Sequence, residues 1–160
     1  MRIGVVSDSH GRMQCLREAV GKMGPVDLIL HAGDFYEDAR RLQKETGLKV
    51  VAVTGNCDWQ VHGPAEEVVE AEGCRILLTH GHMYQVKYGY EKLTEKFKTS
   101  DYHMIVFGHT HIAEILPVNG GYLFNPGSVS RSRLGGPPTY GIIEVKKQGP
   151  VPYIHELSGP

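Results

Sequence analysis

The sequence has little of what marks several protein classes. Its three cysteines, Cys15, Cys57 and Cys74, are widely spaced and form no C-x-x-C pair, which argues against a disulfide framework or a thiolate zinc site. The net charge is −1 with neutral histidine, so no global field attracts nucleic acid or an anionic membrane. The N-terminal apolar run ends after Val6, too short for a signal peptide or a membrane span. We therefore expect a cytoplasmic protein that requires neither nucleic acid nor a membrane.

Short β-branched runs alternate with amphipathic segments along the chain, whose 160 residues suit a single domain over 1–160. A first helix is predicted within the segment 12–24, where Met13, Leu16, Val20 and Met23 fall on one face and Gly24-Pro25 stops it, and further helices are predicted over Tyr36–Thr46 and Tyr88–Lys98. The sequence predicts strands at Arg2–Ser7, Leu28–Ala32, Val50–Thr54, Arg75–Thr79, Met104–Phe107, Tyr122–Phe124, Tyr140–Val145 and Tyr153–Leu157.

The order of these elements predicts two mixed β-sheets flanked by helices. The early strand–helix–strand alternation favours parallel βαβ units. The later half is richer in strands, with a hairpin turning near Glu72-Gly73 and an antiparallel arrangement of the last three strands. The longest irregular stretch, 127–139, reads as a surface loop.

Polar side chains follow each early strand of this prediction. The chain has nine histidines, and five of them fall in tight groups that follow predicted strands. In open α/β sheets, ligands bind just beyond the carboxyl ends of the strands. Residues two apart in an extended segment point the same way, so Asp8 with His10, and His109 with His111, can face one point. The side chains that could meet there are Asp8, His10, Asp34, Asn56, His80, His109 and His111.

This set of imidazoles, carboxylates and one amide suits metal ions better than any other ligand. One catalytic zinc takes about three protein ligands, so seven are too many for a single ion. Two ions that share one carboxylate would use them all, at a separation of about 3.5–4 Å that suits displacement at phosphorus. Manganese, iron, nickel and zinc all accept such ligands. Two divalent ions with only two carboxylates leave a positive site, which favours a small anionic phosphate ester as substrate.

Five motifs in this order resemble the calcineurin-like metallophosphoesterases, and are most similar to their small, single-domain bacterial and archaeal phosphodiesterases. They are Asp8-x-His10, Gly33-Asp34, Gly55-Asn56, His80-Gly-His82 and Gly108-His109-Thr-His111, and the resemblance runs from Arg2 to about Val145. It implies a four-layer α-β-β-α sandwich and a metal-dependent phosphoesterase, with Mn²⁺ as the expected metal. Small relatives often pair, so it also allows a homodimer.

The resemblance further implies how the ligands divide. One ion would be held by Asp8, His10, Asp34 and His111, and the other by Asp34, Asn56, His80 and His109. Asp34 would bridge the two ions, and a bridging hydroxide is the nucleophile expected of the family. His82 is interpreted as a group that contacts the substrate or orients a ligand.

One position departs from the family pattern. Many relatives carry a histidine directly after the Gly-Asn pair, credited with protonating the leaving group, and here that position is Cys57. Nearby cations lower the pKa of a thiol, and a thiolate cannot donate a proton. We therefore expect phosphodiesters with good leaving groups rather than alkyl monoesters. Asp58 is expected to orient a neighbour.

Simpler roles remain open for several of these residues. Asp8 and Asp34 could cap helices, and Gly55-Asn56 could be an ordinary turn. Cys57 could fill space as a small apolar residue. Arg131 and Arg133 could grip a substrate phosphate as a fork or could lie solvated in a loop.

Two other functions also remain open. A phosphomonoesterase acting on nucleotides or phosphoproteins would use the same residues. A non-catalytic scaffold on the same fold is the third alternative, since one eukaryotic relative, a retromer subunit, is regarded mainly in that way. That relative lacks part of the ligand set, whereas this chain keeps every ligand type.

Overall fold

The computed structural model describes residues 1–157, which form ten strands and three α-helices. The strands are β1 Arg2–Val6, β2 Leu28–His31, β3 Val50–Ala52, β4 Glu66–Ala71, β5 Cys74–Thr79, β6 Met104–Val106, β7 Ala113–Val118, β8 Gly121–Pro126, β9 Thr139–Lys146 and β10 Gly149–Glu156. The helices are α1 Met13–Met23, α2 Tyr36–Thr46 and α3 Glu91–Lys98, and His82–Tyr84 form a short 3₁₀ helix.

The strands form two mixed five-stranded sheets. The first has the order β10-β9-β1-β2-β3, in which β1, β2 and β3 run parallel and β9 runs antiparallel to both of its neighbours. The second has the order β4-β5-β6-β8-β7, in which β5, β6 and β8 run parallel and the two edge strands antiparallel. The predicted fold class is therefore confirmed.

The central strands are buried on both faces, because each sheet lies between the other sheet and a layer of helices. In β1, Ile3 and Val5 lie in the core between the sheets, whereas Val6 points to the cluster beneath α1 and α2. In β6, Met104 and Val106 face the first sheet, and Ile105 packs beneath α3. Side chains alternate across a strand, so continuous apolar runs like these fit only sheets covered on both sides.

Helix α2 matches its predicted bounds and α1 lies within its predicted segment, whereas the third helix begins later than predicted. Gly47 ends α2 in the left-handed conformation, with φ 72°, and donates its N–H to the Gln43 carbonyl. The prediction that the third helix begins at Tyr88 was wrong, because α3 starts at Glu91. Gly89 has φ 152°, which is incompatible with a helix, and Tyr88 is 92% exposed.

The pairing of the later strands differs from the prediction in two ways. The segment β7 was not predicted, because Pro117 argues against a strand, but β7 lies at a sheet edge where proline is tolerated. The last three predicted strands do not form one antiparallel group. Only β9 and β10 pair in that way, as a hairpin, whereas β8 belongs to the second sheet, parallel to β6.

The segment after β8 differs in part from the predicted surface loop over 127–139. Ser128, Val129 and Ser130 are buried, so only the later part of the predicted surface loop is exposed.

The predicted hairpin turn at Glu72-Gly73 is confirmed, since both residues have positive φ and Ala71 pairs with Cys74. Within residues 1–157, no helix is long and apolar enough to cross a membrane.

Candidate metal centre

The seven predicted ligands come together where strands of the two sheets end side by side. Asp8 and His10 follow β1, Asp34 follows β2 and Asn56 follows β3 of the first sheet. His80 follows β5 of the second sheet, and His109 and His111 follow β6. Parallel strands end at the same edge of a sheet, which explains how segments far apart in sequence meet.

Four of these side chains form a first group, Asp8, His10, Asp34 and His111, whose ligand atoms all lie within 4.8 Å of one another. The Nε2 atoms of His10 and His111 are 3.2 Å apart. Asp8 Oδ1 lies 3.2 Å from His111 Nε2, and Asp34 Oδ2 lies 3.7 Å from His10 Nε2. Two carboxylates and two imidazoles therefore surround one point.

A second group shares Asp34 with the first. Asp34, His80 and His109 also have ligand atoms within 4.8 Å of one another. Asp34 Oδ1 lies 3.3 Å from His80 Nε2, while Asp34 Oδ2 faces the first group. Asn56 Oδ1 is 3.2 Å from His80 Nε2, which brings the amide to the same group. The two oxygens of one carboxylate thus face two neighbouring clusters.

The donor atoms fit divalent cations. Asp8 Oδ2 accepts hydrogen bonds from Ser7 Oγ at 2.6 Å and from the His109 N–H at 3.1 Å. Asp8 Oδ1 is buried and has no hydrogen-bond partner within residues 1–157. A buried carboxylate oxygen without a partner costs free energy, and a bound cation removes that cost.

Backbone carbonyls orient two of the imidazoles. His80 Nδ1 lies 2.7 Å from the Ala32 carbonyl, and His111 Nδ1 lies 3.1 Å from the Arg131 carbonyl. A carbonyl oxygen can only accept, so each Nδ1 carries a proton and each Nε2 faces the site, where it can present its lone pair to a bound cation. Such outer hydrogen bonds are typical of histidines that bind metals.

The backbone of the site is left-handed at five of the predicted ligands. Asp8, His10, Asp34, His109 and His111 have φ between 48° and 70°. The expectation that Asp8 with His10, and His109 with His111, converge as alternate residues of extended segments was therefore wrong, because both pairs lie in tight turns beyond the strand ends. Each such conformation costs about 1–3 kcal/mol and is held only by its surroundings.

Two glycines permit the close packing of these turns. A Cβ atom on Gly55 would lie 2.1 Å from Asp34 Oδ1, and one on Gly108 would lie 2.0 Å from Ser7 Oγ. Any side chain at either position would displace the Asp34 carboxylate or the Ser7–Asp8 pair. Glycine is therefore required at both positions for steric reasons.

The family model of the calcineurin-like phosphoesterase superfamily domain matches residues 1–148. The chain belongs to this superfamily. This membership and the carboxylate–imidazole clusters make the chain a metal-dependent phosphoesterase, as the sequence predicted.

Two relatives and one solved structure are similar to this chain over nearly its whole length. "Probable metallophosphoesterase YsnB" of Bacillus subtilis is 28% identical, over 99% of this chain and 93% of that protein. "Phosphodiesterase MJ0936" of Methanocaldococcus jannaschii is 27% identical, over 92% and 95% of the two chains. The crystal structure of Entamoeba histolytica Vps29 complexed with zinc shares the calcineurin-like phosphoesterase fold, with a TM-score of 0.75, 21% identity and coverage of 99% and 100%.

The ionisation states of the two carboxylates and of His109 suit cation binding. Burial opposes ionisation of Asp34, but hydrogen bonds from His80 and from the Cys57 N–H hold the pKa of its carboxyl well below the usual range. Burial likewise opposes ionisation of Asp8, and His111 and His80 outweigh it, so its pKa is lowered. Burial lowers the pKa of His109 to about 4. The carboxylates are therefore ionised and His109 is neutral at pH 7, as metal ligands must be.

The alternative interpretations of Asp8 and Asp34 as helix caps are wrong. The residue before α1 is Arg12 and the residue before α2 is Phe35, and neither helix has a side-chain cap. Asp58 instead accepts hydrogen bonds from the N–H groups of Tyr36 and Gly55, both at 2.8 Å. It thereby ties the start of α2 to the turn that carries Asn56.

Cys57 and His82 lie at the edge of the two groups. Cys57 is exposed, so its interpretation as an apolar filler is wrong. Its N–H donates to Asp34 Oδ1 at 3.0 Å. Partial desolvation and the Asp34 carboxylate raise the pKa of the thiol to about 11. Nearby cations were expected to lower this pKa. The ring of His82 lies 5.4 Å from that of His80, and burial lowers the pKa of His82.

Residues outside the seven predicted ligands hold the turns in place. Asp38 Oδ2 accepts hydrogen bonds from Ser9 Oγ at 2.7 Å and from the Gly11 N–H at 2.8 Å, and Ser9 Oγ also contacts the buried His31 at 3.1 Å. Asn125 donates to the Gly108 carbonyl at 3.1 Å. No local motif marks these partners, because each acts on a segment distant in sequence.

Proposed function

We propose that this chain is a phosphodiesterase with two divalent metal ions. One ion would be held by the group of Asp8, His10, Asp34 and His111, and the other by Asp34, Asn56, His80 and His109. The observation that carries the proposal is the position of Asp34, whose two carboxylate oxygens face the two groups. A carboxylate placed in this way can serve two ions at once.

The ions would supply Lewis-acid chemistry, by polarising the phosphoryl group and generating a nucleophile from water near neutral pH. We propose Mn²⁺ as the native metal, although iron, nickel and zinc suit the same donors. Asn56 is neutral, so it holds an ion without cancelling its charge. This leaves the site positive and able to bind an anionic ester.

The chain's own groups favour diesters with good leaving groups. Cys57 occupies the position at which many relatives carry a proton-donating histidine, and a thiol is a weaker general acid than an imidazolium near neutral pH. Asn56 Nδ2 lies 3.6 Å from the Cys57 sulfur, so the thiol adjoins a ligand residue. His82 is half-buried beside His80, and this position supports a role for His82 in contacting the substrate. Cys57 and His82 therefore complete the proposed catalytic set with Asp34 and Asn56.

The proposal takes residues 1–160 as one domain that acts on small phosphate esters in the cytoplasm. It requires no nucleic acid and no membrane. The pairing of two copies stays a prediction, which light scattering of the purified protein would check.

Chelation tests the proposal directly. The purified protein is stripped with EDTA, its metal content is measured, and hydrolysis of bis(4-nitrophenyl) phosphate is followed before and after Mn²⁺ is restored. We expect turnover to vanish and return with about two ions per chain. Turnover that survives complete removal of metal would contradict the proposal.

A scaffold function is the second candidate, because the fold is shared with Vps29. A metal-loaded protein that hydrolyses no member of a broad panel of phosphate monoesters and diesters, yet binds one protein tightly, would support it. The complete set of donors around Asp34 favours catalysis.

A further inference from the structure

A cavity of about 370 Å³ adjoins the candidate metal centre. His111 forms one wall, and the rest is lined by Arg131, Ser132, Arg133 and Gly135. We call this cavity the arginine pocket. No acidic side chain lines it, and within residues 1–157 neither guanidinium has a hydrogen-bond or ion-pair partner. Two uncompensated cations therefore lie next to a proposed metal ligand.

The backbone that carries the two arginines is fixed to the metal centre. The Arg131 carbonyl accepts a hydrogen bond from His111 Nδ1 at 3.1 Å, and the Arg133 N–H donates to the His111 carbonyl at 3.2 Å. Ser128 and Ser130 donate their hydroxyls to the Asp8 carbonyl at 2.9 and 2.8 Å. The position of this backbone relative to the site is therefore set by the fold, and the exposed arginine side chains extend from it.

Lys87 is a third cationic side chain near the arginine pocket. Arg133 also lines a smaller cavity of about 150 Å³, together with Lys87 and Thr110. Lys87 acts electrostatically on His109. Thr110 lies between the proposed ligands His109 and His111 in the sequence, so the two cavities flank the same turn.

We propose that the arginine pocket binds a second phosphate group on the substrate, while the scissile phosphodiester lies at the metal centre. The substrate class is then a diester with a separate phosphate on one of its two arms. Two guanidinium groups match the double charge of a phosphate monoester and can form bidentate hydrogen bonds with it. This inference rests on the proposed function, because it assigns the substrate of the same site.

Matched substrates test the assignment. They are 4-nitrophenyl alkyl phosphodiesters of graded chain length, whose alkyl arm ends in phosphate or in hydroxyl, and release of nitrophenol reports only the diester bond. For the wild type we expect kcat/KM to be about 10- to 100-fold higher for the phosphate-ended substrate at the best length. In R131Q/R133Q this ratio should fall to about 1. Lys44→Gln removes an exposed charge from α2 and should keep the wild-type ratio.

Binding provides a readout that does not depend on turnover. Phosphonate analogues, in which a carbon replaces the leaving-group oxygen, are titrated calorimetrically into the Mn²⁺-loaded protein. The phosphate-ended analogue should bind about 10- to 100-fold more tightly than the hydroxyl-ended one, and R131Q/R133Q should abolish the difference.

The outcomes separate this inference from the proposed function. If the wild type shows no preference in binding or turnover, or if R131Q/R133Q keeps the preference, the assignment of the arginine pocket is wrong. If the wild type shows the binding preference but hydrolyses neither substrate, the pocket stands and the proposed phosphodiesterase function fails.

Discussion

The loops that follow the first sheet carry both carboxylates and the amide of the site, whereas the loops that follow the second sheet supply imidazoles alone. Negative charge therefore comes from the first sheet alone, which also supplies the imidazole of His10, whereas the second sheet contributes only imidazole nitrogen. His80 links the two sheets, because it follows β5 of the second sheet and its Nδ1 donates a hydrogen bond to the Ala32 carbonyl, which follows β2 of the first sheet. The comparison shows that neither sheet alone has a complete ligand set, so the site exists only when the two sheets are packed together.

The largest effect is expected from Asp34, the residue whose oxygens face both groups. Asp34→Asn removes the negative charge that both ions would share, so we expect kcat/KM for an aryl diester to fall by about 10³-fold or more. Metal content should fall from two ions per chain. Asp58→Asn is the control, since Asp58 supports the turn but faces neither group, and it should cost much less.

His80→Ala tests the same division of ligands with a residue that follows the second sheet. It removes a ligand of one group only, so one ion per chain should remain, as elemental analysis would show. If both variants retained two ions, the division into two groups that share Asp34 would be contradicted.

Gly55→Ala, in the segment that follows β3 of the first sheet, should disturb the site without replacing any of its ligands. The new methyl group would lie 2.1 Å from Asp34 Oδ1, so the carboxylate must move. A permitted contact requires a shift of about 1 Å, and misplacement of a ligand by that much is expected to reduce kcat/KM by about 10- to 100-fold. Gly21→Ala is the matched control, because nothing lies within 4 Å of the added atom in the exposed part of α1. It should stabilise the protein by about 0.5–1 kcal/mol and leave activity intact.

Cys57→His introduces an imidazole on the side of the first sheet. A general acid with a pKa nearer neutrality should help an alkyl leaving group depart, so we expect monoester hydrolysis to rise by about 10-fold or more. Activity toward the activated aryl diester should change little. Unchanged monoester hydrolysis in a metal-loaded variant would remove the support for diester preference.

The smallest effect is expected from the partners beneath the turns. Asp38→Ala leaves the Ser9 hydroxyl and the Gly11 N–H without their acceptor, at a cost of about 1–3 kcal/mol in the free energy of unfolding. We expect kcat/KM to fall by about 10-fold through the displaced His10 turn. Asp27→Ala removes an exposed acceptor of the Arg2 N–H and serves as the control in the same denaturation and rate measurements.

Much of the fold followed from local patterns. The bounds of α2 agree with the prediction, and α1 lies within its predicted segment, because apolar periodicity and terminal glycines are local signals. The strand β7 was not predicted, and the choice of sheet for β8 depends on contacts with β6 that no local pattern encodes. The site residues and their position beyond the strand ends were predicted, but the left-handed turns that direct their side chains were not.

The sequence by itself determined the family and the order in which carboxylate, amide and imidazole side chains follow the strands, because side-chain chemistry and spacing are written along the chain. Only the tertiary structure decided that Asp8 and His109, 101 residues apart, share a hydrogen bond, and that the turns around them adopt left-handed backbone. The physical reason is that a strained turn persists only where distant groups such as Ser128, Ser130 and Asn125 satisfy its carbonyls.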